Sequence, residues 1–113
     1  MRYLVIYRPE TGEEGGAPDP AHMQSMNALV EDMTKAGKLI VTEPLAMRAQ
    51  GAAVRLSGGK LTVSDLTARA AGYAFINAAS RDEAIALIGE FLGVAGDAEC
   101  EIRLVLEFGP PPS

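Results

Sequence analysis

Of the 113 residues only one is cysteine and one histidine, and none is tryptophan. The lone Cys100 admits no intramolecular disulfide and no cysteine metal cluster. One Cys and one His cannot fill the four positions of a structural zinc site, so no metal and no other cofactor is expected. Basic residues are also scarce: ten Lys and Arg stand against fifteen Asp and Glu, for a net charge of −5 and a pI near 4.8. Such a surface repels phosphate backbones, and no basic stripe interleaved with aromatics offsets it, so nucleic acid is not an expected partner. Nor is a membrane, because no apolar run reaches the length that spans a bilayer. The opening MRYLVIYRPE is apolar but short. It ends at Arg8 without a small-residue cleavage site and predicts the first strand of a cytoplasmic protein rather than a secretory signal. A phosphate-cradling loop is missing too: SGGK, residues 57–60, is too short and leads from a strand into a turn, not into a helix.

What remains is an ordinary globular composition, 48% apolar and 22% charged, read as one domain over residues 1–108 with a disordered tail, GPPPS, over 109–113. Residues 2–8 read as a strand with Tyr3, Val5 and Tyr7 on one face and Leu4 and Ile6 on the other, apolar on both sides and therefore central. A polar, Gly-rich loop follows over residues 9–19. Asp19 as N-cap and Pro20 at the first helical position start a helix. Met23, Met26, Val30 and Met33 give it an apolar stripe, and Gly37 stops it. A strand is predicted over 38–42. Residues 52–56 and 60–63 flank Ser57-Gly58-Gly59 as a hairpin. Residues 72–78, GYAFINA, form a second strand apolar on both faces. Ser80 and Glu83 make a capping box for a helix that Gly93 can end. The last strand, 99–108, alternates Cys100, Ile102, Leu104, Leu106 and Phe108 against Glu101, Arg103 and Glu107.

The order β-α-β-(hairpin)-β-α-β predicts an α+β fold, the ferredoxin-like split βαβ sandwich with an inserted β-hairpin. Two helices cover only one face of its sheet. The other face keeps apolar side chains that water would solvate poorly. The reading is therefore a homodimer packed through the sheet face, with two-fold symmetry and a barrel-like interface.

The segments MRYLVIY, KAGKLI, VTEPL and GYAFINAASRDEAIAL, with the short hairpin between them, resemble the YCII-related superfamily, most closely its DGPF-type branch. The resemblance runs from Met1 to about Phe108. It implies a dimeric α+β barrel. It also implies a choice among roles: some members act on small aromatic compounds, one as a dehydrochlorinase of chlorinated hydroquinones, and others occur beside extracytoplasmic-function sigma factors. Members usually carry a His on the first helix, eleven residues before the Gly that stops it. Here that count back from Gly37 reaches Met26. The branch's Asp-Gly-Pro-Phe corresponds to VSDLTARAAGY, residues 63–73, where Asp65 matches the Asp but Leu66 and Thr67 replace Gly and Pro.

His22 stands four residues before Met26, at the third helical position and near the same face. There the helix N-terminus disfavours extra positive charge, and a neutral imidazole is what a general base needs. His22 oriented by Asp65 would make an enzyme of proton-transfer or elimination type on an aromatic-type substrate. The plainer readings are a first-turn His touching the Asp19 cap and a turn Asp bonding its own backbone. Met26 offers an apolar pocket wall. Tyr3, Tyr7 and Tyr73 offer hydroxyls to a pocket or simple packing with one hydrogen bond. Arg55 offers a grip on an anion or a reach to the sheet edge. Cys100, on an apolar face with no basic neighbour, is expected to be unreactive. The favoured reading is a homodimer that binds a small, partly apolar molecule in a cleft beside the first helix, with no evident catalysis. A regulatory module linked to a sigma factor is the remaining alternative.

Overall fold

The computed structural model describes residues 1–10 and 20–107. The Asp19 cap, the Gly-rich loop over 11–19, Phe108 and the tail lie outside them. The described elements are β1 (Arg2–Pro9), α1 (Pro20–Lys35), β2 (Leu39–Pro44), a one-turn 3-10 helix (Arg48–Gln50), β3 (Ala53–Ser57), β4 (Lys60–Ser64), β5 (Gly72–Asn77), α2 (Arg81–Ala95) and β6 (Ala98–Leu104). Four strands form an antiparallel sheet in the order β2-β5-β1-β6, and β3 and β4 pair only with each other. The architecture is α+β. Among the described residues no helix is long and apolar enough to cross a membrane.

β1 and β5 are the inner strands, as their two apolar faces require. Their registers put Tyr3 opposite Ile76 and Leu104, and Val5 opposite Ala74 and Ile102. These side chains face the helices. Tyr3, Val5, Leu39, Ile76, Ala78, Ala84, Leu87 and Ile88 make the core, with Val30, Met33, Leu92 and Cys100 packed around it. The core is small, and α1 contributes no buried residue to it. On the predicted stripe of α1, Met26, Val30 and Met33 are half-buried, whereas Met23 is 46% exposed.

Local chemistry sets the boundaries. At the end of α1, Lys38 N–H donates to Met33 C=O at 2.9 Å and Gly37 N–H to Thr34 C=O at 3.0 Å. That is a Schellman closure, and Gly37 at φ 73° supplies its left-handed residue. Glu83 N–H donates to Ser80 Oγ at 3.1 Å, and Glu83 Oε2 accepts from Ala79 N–H at 2.9 Å. The capping box therefore forms with its return bond one residue earlier than the standard pattern. α2 runs through Gly93 and stops at Gly96, whose φ is 97°. The half-buried Val94 and Ala95 carry the helix past a glycine that costs only about 1 kcal/mol.

β6 ends at Leu104 rather than running on to 108, because its partner β1 begins at Arg2. The last contact along it is Val105 N–H to Arg2 C=O at 2.9 Å. β2 begins one residue later than predicted and continues to Pro44, which pairs opposite Gly72 on a sheet edge, where a missing N–H costs no ladder bond. A bulge at Ile40 puts Leu39 toward the helices opposite Ile76 and Val41 on the open face opposite Phe75.

Candidate functional site

The side of the sheet away from the helices is half-covered and chemically mixed. Register places Leu4, Ile6, Phe75, Tyr73, Val41 and Glu43 there. Tyr73 and Phe75 meet edge to face at 6.1 Å, and the Arg2 guanidinium lies over the Phe75 ring at 5.6 Å. The Tyr73 hydroxyl donates to Glu43 Oε1. That bond, then burial and the Glu43 charge, hold its proton more tightly than in a free tyrosine. At the β6 end of this face Glu101 accepts from Arg103 and, at 3.0 Å, from Arg8. The hydrogen bonds from Arg103 and Arg8 keep its carboxyl below the usual range.

The helix side of β6 carries a concave site. β6 is an edge strand, and α2 overhangs it. Between them opens a cleft of about 370 Å³ lined by Tyr3, Cys100, Ile102 and Leu104 from the sheet and by Arg81 and Ile85 from α2. Tyr3 is buried at its floor, while Ile85 and Leu104 are about half exposed at its walls. Arg81, the first residue of α2, brings a guanidinium to this wall and makes no ion pair with another described residue. Burial, and secondarily the Glu99 charge, pushes the Cys100 thiol up to about 11, so at neutral pH it is a protonated, poorly nucleophilic group. The lining thus combines three aliphatic side chains, a tyrosine, a protonated thiol and an arginine, and it includes no carboxylate or imidazole. Such a set can hold a partly apolar anion.

The residues singled out from sequence lie on several elements. His22 is half-buried in the first turn of α1, a helix that packs on α2 and β2. Asp65 is exposed in the segment that follows β4. Met26 is half-buried on α1. Tyr7 lies between sheet and α2, edge to face with Phe91 at 5.3 Å, where burial raises its hydroxyl pKa. Tyr73 sits on the next strand but on the opposite face of the sheet. Arg55 is exposed on β3, opposite Thr62. Among these residues the structure brings no pair together around one described cavity. The described cleft lies beside α2 rather than beside α1, because α1 docks toward β2 while α2 docks toward β6.

Arg81, Ile85, Ile102 and Leu104 were not among the sequence candidates. The alternation of β6 marks its inward side chains, but only the packing of α2 shows which of them stay uncovered. Among the described residues no group of three or more His, Cys, Asp or Glu is placed to hold a metal ion. No protein-family model matches the chain, and no curated protein matches it. The likeness to the YCII-related superfamily rests on the segments quoted above.

Proposed function

We propose that this chain is a cytoplasmic, homodimeric protein of the ferredoxin-like, YCII/DGPF type that binds a small, partly apolar anion in the α2–β6 cleft and does not catalyse a reaction. One observation carries the reading. The cleft joins the aliphatic Ile85, Ile102 and Leu104 to Tyr3 and Arg81 and contains a thiol that stays protonated. Aromatic or short aliphatic carboxylates fit that chemistry, since a guanidinium meets a carboxylate through two parallel hydrogen bonds. The ferredoxin-like assignment is supported by the sheet order, with the first and third body strands inside and the second and fourth outside. Dimerisation through the open sheet face is supported by its half-covered Leu4, Ile6, Tyr73 and Phe75.

The test is a thermal-shift and calorimetric panel of benzoate, phenylacetate and hexanoate against their neutral alcohols. Carboxylates are expected to raise Tm and their alcohols not to. Arg81→Ala is expected to weaken binding about tenfold or more, and Arg81→Lys to recover only part of it. Binding that is unchanged in Arg81→Ala, or no stabilisation by any carboxylate, overturns the proposal.

A further inference from the structure

The β3–β4 hairpin is built differently from the rest of the molecule. Its register pairs Val54 with Val63 and Leu56 with Leu61, so these four side chains share one face, while Arg55, Thr62 and Lys60 fall on the other. Ser57-Gly58-Gly59-Lys60 closes it through two residues of positive φ, 56° and 78°, the turn that suits a twisted hairpin. It is thus a well-formed amphipathic ribbon. Yet Val54, Leu56, Leu61 and Val63 are 64–70% exposed, and among the described residues no other helix or strand packs extensively on either strand. An isolated two-stranded hairpin is only marginally stable in water, and a contiguous apolar patch of roughly a few hundred Å² marks an interaction site.

We propose that this hairpin is a dimerisation arm whose apolar face is buried by a second copy of this chain. The inference extends the homodimer reading above and adds an element to it. Charge supports a second copy as the occupant. The arm, residues 53–64, carries Arg55 and Lys60 and no acid; the chain as a whole is −5, which leaves −7 on the remainder. A cationic arm on an acidic body is complementary to another copy of that body, and the two arms offset the repulsion between bodies of like charge.

Sedimentation velocity over a wide concentration range tests this on the full chain, with circular dichroism confirming that each variant keeps the wild-type fold. The wild type is expected to be a dimer. A Leu56→Glu/Leu61→Glu variant is expected to dissociate at a concentration about 100-fold higher or more. An Arg55→Glu/Lys60→Glu variant is expected to weaken association about tenfold, with the loss reduced by salt. Hydrogen exchange should show the arm amides protected in the dimer and open on dilution. If both arm variants dimerise like the wild type while Ile6→Glu on the sheet face breaks the dimer, the arm proposal is overturned and the sheet-face dimer stands. A wild type that is monomeric at every concentration overturns both. If that monomer then co-sediments with anionic vesicles, the arm serves a membrane surface instead.

Discussion

The sheet-and-helix body and the β3–β4 arm obey the same strand chemistry and differ in what they do with their apolar faces. In the body, Tyr3, Val5 and Ile76 are 3–4% exposed and meet helices that arrive from elsewhere in the sequence. In the arm, side chains of the same kind are about two-thirds exposed and pair across the hairpin with each other. A fold of this size cannot bury every apolar face it makes, because the fraction of surface that folding buries is small in short chains and rises only with size. Here the shortage is concentrated in one projecting ribbon and in the uncovered side of one sheet.

Substitutions can break that contrast or sharpen it. The largest expected effect is at the centre of the body. Ile76→Ala should lower unfolding free energy by roughly 2–5 kcal/mol, whereas Leu56→Ala in the arm should cost less than ~1 kcal/mol in protein diluted to monomer. Urea titrations of both variants at that dilution measure the difference, and equal losses would show the arm to be part of the body's core. Thiol chemistry gives the next largest effect. At pH 8 Cys100 should react with iodoacetamide roughly 200-fold more slowly than a cysteine placed in the arm as Val63→Cys, because its thiol ionises only near pH 11. Alkylation followed by mass spectrometry reads the ratio, and benzoate bound in the cleft should slow Cys100 further.

Smaller is Ser80→Ala, which deletes the α2 cap and should cost about 1 kcal/mol without altering dimer affinity. The smallest concerns Glu101. Its folded pKa is depressed, so its contribution is present above the unfolded carboxylate range and is lost as pH falls through the folded value. Glu101→Gln should therefore lower Tm slightly at pH 7, with the gap to wild type closing below about pH 4. A gap that widened in acid would reverse the assignment.

Much of the architecture was legible because its signals are local. Two positions, Gly37 and Ser80, mark helix boundaries by backbone chemistry that operates within five residues. The two-sided apolar pattern of residues 2–8 and 72–78 separates inner strands from outer ones without any knowledge of the partner. Gly93 and the span of β6 were less legible. Whether a helix crosses a glycine depends on what the next turn buries, and a strand ends where its neighbour does. Of the cleft, only Tyr3 was legible as a pocket residue. Arg81 looks like an ordinary first-turn residue, and Leu104 like any inward strand position, until the overhang of α2 leaves them facing the same space. His22 and Asp65 looked conspicuous for rarity and for their place in a motif, and neither property carries information about distance.

The extra residue at Ile40 also governs how copies of the sheet can accumulate. A strand laid along the β2 edge would find its ladder interrupted after Leu39, with the backbone twisted away from it. β6, at the other edge, has an unbroken register along its partner. The sheet thus has one edge whose ladder is interrupted, a feature that works against repeated edge-to-edge addition, which needs two receptive edges.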